Sequence, residues 1–334
     1  MVFRGQTLGK YRIIEPLGSG GFGTVYLAED TWIDKRVAIK VPHRQNLDFG
    51  ELLKEPRLLA SLGHPNIVTV ITAEKQDNVF FIVMEYVPGD TLETLIVQRG
   101  ALELMQALDY TAQICNAVEH AHKHNVLHRD LRPANVFVTD KGLLKVGDFG
   151  TSRVLEIAAH GTTVIGSPPY MAPEQFEGRA VFASDLYSIG VTAYQMLTGT
   201  MPYDTPQPSD IARLKRGEMV APMRSRVSHI PKVIDDLVMR ALSPDVGTRY
   251  QRAEDMLNDL LAARRDLVRR PPPEVSATPA PAGSGATPRP APTRPAPTPT
   301  RLRAREAPTA RFCWQCRKPL PARGSKCPFC GETQ

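Results

Sequence analysis

From about Lys10 to Val268, apolar segments alternate with turn signals in the way a packed mixed domain requires. The region opens with "YRIIEPLGSGGFGTVYLAED", two strand-like runs joined by a glycine-rich turn, and a further β-run, "RVAIKV", follows. "FFIVMEYVPGDTL" reads as a buried strand ending in a turn, and "ALDYTAQICNAVEHAHKH" as a helix. A polar, proline-broken loop comes next, "NVLHRDLRPANVFV", with β-branched and aromatic residues on both sides. Strands and helices together predict an α+β fold. The pattern stops after Val268. Residues 269–311 are rich in Pro, Ala, Thr and Arg and nearly free of large apolar side chains, so they bury too little surface to offset chain entropy. They predict a disordered, partly polyproline linker. Residues 312–334 form a short terminal piece.

Composition adds little to this division. The chain has 334 residues, 42 % hydrophobic and 23 % charged, ordinary globular usage with material for about two domains. The net charge of +6 belongs to one late segment, where arginines from Arg264 to Arg311 face only Asp266, Glu274 and Glu306. "MVFRGQTLGKYRII" has no long apolar region of the kind a signal peptide carries, and no later run approaches the ~18 apolar residues of a transmembrane helix. The expectation is a soluble, cytoplasmic protein with no membrane insertion.

The first candidate chemistry lies in the glycine-rich turn. Gly18, Gly20 and Gly23 spell GxGxxG, and without Cβ atoms the backbone N–H groups can approach phosphate oxygens closely. A flexible hairpin is the alternative. A dinucleotide fold would place a helix after the last glycine, whereas "TVYLAE" reads as a strand. Lys40, at the inward end of "RVAIKV", is a candidate cation for a polyphosphate. Asp130 and Asn135, five positions apart in the polar loop, pose the question of what reaction needs that pair.

With "GSGGFG", "VAIK", "HRDLRPAN", "DFG", "APE", "SDLYSIGV" and a late Arg in "GTRYQRAEDM", the region from Tyr11 to Leu267 resembles the eukaryotic-like protein kinases, with the motifs in the family's own order. The resemblance implies a bilobal kinase fold over residues 10–268, with a small β-rich N-lobe over about 10–86 and a larger helical C-lobe over about 87–268. It implies ATP and Mg²⁺, with Mn²⁺ as a substitute. Asp130 would orient the substrate hydroxyl and take its proton, while Asn135 and Asp148 would hold Mg²⁺. Lys40 would bind the α- and β-phosphates, held by an acidic partner on the following helix.

The same resemblance assigns the glycine loop, Leu17, Gly18, Ser19, Gly20, Gly21, Phe22 and Gly23, to the nucleotide. Val25, Ala38 and Phe137 join Leu17 in the apolar walls around the base. Met84 stands at the gatekeeper position, with backbone groups of Glu85 and Val87 at the hinge. Glu174 and Arg249 match the family's buried ion pair, and Asp185 the residue bracing the catalytic loop. Pro133 and "GSPPYMAPE" resemble serine/threonine kinases more than tyrosine kinases, with Ser167 in the substrate-docking loop. Arg129, before the catalytic Asp, would bind a phosphate on the activation segment, where Thr162 and Thr163 are candidate autophosphorylation sites.

Three positions depart from the family pattern. Arg132 stands where serine/threonine kinases usually carry Lys beside the transferring phosphate; it keeps the charge on a longer, planar group. Gly147 is unusually small and should loosen the pocket behind the nucleotide. Glu55 lies at the family's distance for the partner of Lys40, yet Pro56 follows, so the helix should begin near Glu55 or kink there, with Glu51 the alternative partner.

The terminal piece reads independently. Cys313 with Cys316, and Cys327 with Cys330, are paired CxxC knuckles and predict a zinc ribbon binding Zn²⁺ through four thiolates, with disulfides the alternative. Cys115 reads as a buried small hydrophobe. His120, His122 and His124 alternate around a helix rather than sharing one face, which argues against a metal site there. Two functions follow: a protein Ser/Thr kinase acting on protein substrates and on itself, with a tail recruiting an unknown partner, or a pseudokinase scaffold whose basic, zinc-bearing tail binds protein or nucleic acid. Intact Lys40, Asp130, Asn135 and Asp148 favour the first.

Overall fold

The alternation of the first eighty-odd residues builds one antiparallel sheet. The computed structural model describes residues 2–20, 23–43, 45, 49–149, 167–269, 311–312 and 319–320; the side chains of residues 49, 51, 54, 55 and of the last four lie outside the description. Strands β1 (Thr7–Leu8), β2 (Tyr11–Gly20), β3 (Gly23–Asp30), β4 (Lys35–Pro42), β5 (Val70–Gln76) and β6 (Val79–Glu85) pair in the order β1-β2-β3-β4-β6-β5. Side chains two apart share a face, and Tyr11, Ile13, Val37, Ile39, Phe81 and Val83 form one buried cluster. Each such side chain contributes roughly 1.5–3 kcal/mol when fully buried.

Helix α1 (Phe49–Ala60) packs Leu52 against Val70, Phe80 and Ile82. Pro56 lies inside the helix and is buried, so the helix does not begin near Glu55. The lost backbone donor and the ring's clash one turn back disfavour this by about 3 kcal/mol. Packing of the apolar face on β5 and β6 is the force that opposes it, as tertiary contacts commonly override propensity.

The larger lobe is helical. Helix α2 (Leu92–Arg99) starts at Thr91, whose Oγ1 accepts from Thr94 N at 3.2 Å, and α3 (Leu104–Lys123) starts at Glu103, which accepts from Gln106 N at 2.9 Å. Helix α4 (Phe182–Thr198) is apolar around most of its circumference and correspondingly buried. It ends at Gly199, which has φ +73° and lies so close to Ala101 N that a Cβ would sit 2.8 Å from it. Helices α5 (Ile211–Lys215), α6 (Lys232–Ala241) and α7 (Ala253–Arg269) complete the lobe, and β7 (Asp90–Thr91), β8 (Val136–Val138) and β9 (Leu144–Val146) form a second sheet at its edge.

The two lobes are joined by more than the hinge. Leu62 and Ile67, in the loop after α1, belong to the large helical core. Val68 N donates to Val146 O at 2.9 Å and Val146 N to Asn66 O at 2.8 Å, while Asn66 Nδ2 donates to Leu144 O at 2.9 Å. The loop is thereby stitched to β9, and the end of α1 is anchored on the C-lobe.

Residues 1–274 and 275–334 are separate compact units. In the second, β10 (Arg311–Phe312) pairs antiparallel with β11 (Pro319–Leu320), Phe312 opposite Pro319. The linker and the four tail cysteines lie outside the described residues. Among the described residues no helix is long and apolar enough to cross a membrane.

Candidate active site

Strand register assembles the cleft. Opposite Lys40 on β4 stand Val25 on β3 and Ile82 on β6, and Ala38 stands opposite Met84. Gly18 pairs with Val25 and Gly20 with Gly23, so the predicted glycine turn is the β2–β3 connection, with Gly21 and Phe22 outside the described residues. Ser19 Oγ and Thr24 Oγ1 are 3.1 Å apart across that hairpin. Leu17 is exposed, Val25 half-buried and Ala38 buried.

At the hinge, Glu85 N donates to Thr69 O at 2.9 Å. The Glu85 carboxylate is engaged elsewhere, accepting from Thr69 N and from Lys145 Nζ, each at 2.7 Å. Val87 is half-buried just beyond.

The catalytic loop is held as a unit. Pro133 opens a single 3₁₀ turn, Pro133–Asn135, and buried Asn135 turns its Nδ2 back to Asp130 O at 2.8 Å and Asp130 Oδ2 at 3.3 Å. Ser167 N donates to Asp130 Oδ1 at 3.0 Å, so the segment beginning at Ser167 and the loop carrying Asp130 meet at one carboxylate. The Arg132 guanidinium lies 4.0 Å from both Asp130 and Glu93. Arg129 and Asp148 take φ of +67° and +56°, strained values for non-glycine residues that recur at functional sites.

Asp185 explains how Arg129 is tolerated there. Its buried carboxylate accepts from His128 N and Arg129 N, each at 2.9 Å, and from His122 Nε2 at 2.7 Å. Burial pushes the Asp185 carboxyl upward, but the hydrogen bond and charge of His122 outweigh it, and the net lies below the ordinary carboxylate value. Asp148 is also held down, burial being overcome chiefly by Lys40, whose Nζ is 2.7 Å from Asp148 Oδ1. Asp148 is therefore the described partner of Lys40. The Glu55 and Glu51 side chains, the predicted partners, lie outside the description, as do Thr162 and Thr163.

Farther out, Arg249 is fully buried and grips Glu174 with Nη1–Oε1 at 2.7 Å and Nη2–Oε2 at 3.2 Å, as predicted. Ser184 Oγ adds a hydrogen bond to the same carboxylate at 2.6 Å. Cys115 is in the core, as expected, where burial pushes its thiol up to about 12.

Two expectations need correcting. Gly147 does not leave the pocket behind the nucleotide loose: a Cβ there would lie 2.9 Å from Phe137 Cε2 and 3.4 Å from Val68 Cγ2, because those side chains fill the space. What remains is a cavity of about 20 Å³ bordered by Leu59, Leu62, Ile82, Met84 and Asp148, room for about one water. The histidines do not simply alternate. His120 on α3 and His124 at its C-cap, four positions apart, lie with ring centroids 4.5 Å apart, and His64 stacks on His120 at 4.9 Å. His122 points elsewhere, to Asp185.

Sequence reasoning missed His122, His128 and Gln175. His128 Nε2 donates to Gly147 O at 2.9 Å and its ring packs on Phe149 at 4.6 Å, while Gln175 Nε2 donates to Arg129 O at 3.0 Å. Only the position of His128 within "HRDLRPAN" hinted at a role; nothing in the spacing marks the other two.

The Protein kinase domain family model matches residues 11–261. The chain is similar to serine/threonine-protein kinase PrkC of Bacillus subtilis, 36% identical over 263 residues, covering 76% of this chain and 40% of that protein. Serine/threonine-protein kinase PknB of Mycolicibacterium smegmatis is 34% identical over 75% of this chain and 42% of its own length. The chain thus spans about two fifths of these relatives. Among solved structures, Rad53 1-466 in complex with AMP-PNP aligns with a TM-score of 0.64 at 27% identity, covering 75% of this chain and 64% of that one.

Proposed function

Because the chain belongs to the protein kinase family, in the serine/threonine branch of its bacterial relatives, we propose that it transfers the γ-phosphate of Mg-ATP to Ser/Thr hydroxyls of proteins. The observation that carries this reading is the Asp130 carboxylate, fixed by Ser167 N on one oxygen and Asn135 Nδ2 near the other. Phosphoryl transfer has a loose, in-line transition state, so positioning and charge neutralisation do most of the work. A carboxylate tied to the docking loop aligns the substrate hydroxyl and receives its proton. Lys40 supplies a fixed positive charge to the phosphates.

The donors present suit Mg²⁺. Asn135 spends its NH₂ on Asp130, which leaves the carbonyl oxygen, and Asp148 offers a carboxylate held ionised, both hard oxygen ligands. When bound, the ion neutralises charge that builds on the phosphate oxygens. The intact set of Lys40, Asp130, Asn135 and Asp148 weighs against the pseudokinase alternative. Incubation of the full chain with labelled ATP, Mg²⁺ and a generic Ser/Thr substrate tests the reading: Asp130→Asn should keep nucleotide binding while transfer falls by orders of magnitude. Transfer at an equal rate in the variant would remove the assignment.

Regulation by autophosphorylation and a zinc-ribbon tail that recruits a partner belong to the same proposal. Arg129 supports the first, since the strained backbone fixed by Asp185 sets its position beside the catalytic Asp. If Thr162→Ala with Thr163→Ala is as active and as phosphorylated as the unaltered chain, that part is wrong. The tail is supported by its paired CxxC motifs and by the Phe312–Pro319 pairing, which brings together the ends of the segment holding Cys313 and Cys316. Thiolate ligation suits a reducing, cytoplasmic setting.

A further inference from the structure

Strand β4 ends in Pro42, which has no backbone N–H to give to the sheet. Its partner across the ladder is Gly23 on β3, and Gly23 in turn faces Gly20 on β2. At this corner two side chains supply hydrogen bonds instead. Gln45 Nε2 donates to Pro42 O at 2.6 Å, and the His43 ring reaches one strand farther, its Nε2 2.9 Å from Gly20 O. A carbonyl oxygen only accepts, so the ring is the donor. The span is short because residue 23 is glycine: a Cβ there would collide with Val41 O and lie 2.9 Å from Pro42 Cα, so only a bare backbone lets β3 lie this close to β4.

The bond takes hold of the glycine-rich turn. A glycine peptide turns over at little steric cost, and its two sides differ, the carbonyl pointing one way and the N–H of the same planar trans unit the other. Only the N–H side suits a phosphate oxygen. The imidazole selects between the two orientations by holding the Gly20 carbonyl toward the end of β4. Lower in the hairpin, Ser19 Oγ and Thr24 Oγ1 bridge β2 and β3 without His43, so strand register has a tie of its own. His43 is exposed and belongs to none of the buried apolar clusters.

We propose that His43 is a positioning residue for the nucleotide phosphates: it touches neither nucleotide nor metal, but clasps the Gly20 carbonyl and so keeps the opposed N–H of that peptide for a phosphate oxygen. Without the clasp the peptide samples both orientations, and ordering it becomes part of the cost of binding. This inference rests on the ATP-dependent reading above and adds a residue that lies outside the motifs carrying that reading.

The test separates phosphate from base. In the full chain, dissociation constants for Mg-ATP, Mg-tripolyphosphate and adenosine are measured by titration calorimetry for the unaltered protein, His43→Ala and His43→Gln, beside the rate of transfer to a generic Ser/Thr substrate. A single neutral hydrogen bond at an exposed position corresponds to about three- to fivefold in affinity, so His43→Ala should weaken Mg-ATP and Mg-tripolyphosphate by that factor and leave adenosine within about 1.5-fold. Gln carries an N–H donor at nearly the same reach, and His43→Gln should restore both phosphate ligands. Equal tripolyphosphate affinity in His43→Ala and the unaltered chain overturns the proposal. So does a parallel loss of adenosine, which would mean general loosening of the lobe, and so does a Gln variant as weak as the Ala variant. Mg-ATP that is bound but not transferred by the unaltered chain would remove the kinase reading and leave the His43 comparison standing, whereas no Mg-ATP binding at all would remove both.

Discussion

Arg249 shows what one buried charge does for the C-lobe. Its guanidinium is bidentate on Glu174, donates to Ala183 O at 2.9 Å and to Ser243 O at 3.0 Å, and lies over the Tyr187 ring. Burial pushes the Glu174 carboxyl upward, but Arg249 more than compensates and the net lies below its ordinary value. Removing one partner leaves the other buried and uncompensated, so Arg249→Met should lower stability by about 3–5 kcal/mol. Chemical denaturation checks this; a loss under about 1 kcal/mol would mean that the pair contributes no more than an exposed one. This pair was legible in the sequence because both members sit in motifs, "APE" and "GTRY". His122 was not, because its partner Asp185 lies 63 positions away and no local spacing records that contact.

At the scale of elements, the stack of His64, His120 and His124 pins the loop after α1 to helix α3. Burial and neighbouring positive groups, His120 and Lys145 for His64, His124 and Lys123 for His120, lower the affinity of both rings for a proton below the ordinary 6.5. His120 Nε2 is buried without a hydrogen-bond partner. With the folded values depressed, the unfolded chain takes up protons first, so stability is full above about pH 6.5 and declines as pH falls below it. Melting temperature should therefore drop between pH 7.5 and 5.5, by about 2–4 °C for each kcal/mol of linkage, and the drop should shrink in His120→Leu. An equal pH slope in that variant would assign the dependence to other groups. The i,i+4 spacing of His120 and His124 was readable from the chain, whereas His64 was not, since only the fold brings its loop to α3. Pro56 failed in the opposite way: propensity argued for a helix start, and the packing of Leu52 on Val70, Phe80 and Ile82 keeps the helix running through it.

Across the whole molecule, motif order made the two lobes and most of the cleft legible, because catalytic residues lie in short runs whose identities are set by chemistry. What the motifs did not carry is how the lobes are fastened: the pairing of residues 66–68 with Val146 and the Lys145–Glu85 bridge at 2.7 Å join segments that look unremarkable alone. The second unit poses the converse problem, for its sequence carries paired CxxC motifs and its described structure is a single pair of two-residue strands. A hairpin that small is not stable by its own backbone pairing, and the terminal piece has few large apolar side chains, chiefly Phe312, Trp314, Leu320 and Phe329. A further source of stability is required, and under the proposed zinc-ribbon reading four thiolates from the paired CxxC knuckles would supply it on binding Zn²⁺, a gain of about 10–16 kcal/mol in comparable peptides. Ligation also lowers thiol reactivity, since coordinated sulfur is no longer a free nucleophile. The full chain should therefore carry one Zn²⁺ by elemental analysis, with all five cysteines, the buried Cys115 and the four ligands, slow toward a thiol reagent. A strong chelator should release the metal and make four cysteines fast, and Cys327→Ser should abolish stoichiometric zinc while the Asp130-dependent transfer persists. Four thiols equally reactive with and without zinc would show that the hairpin is held some other way.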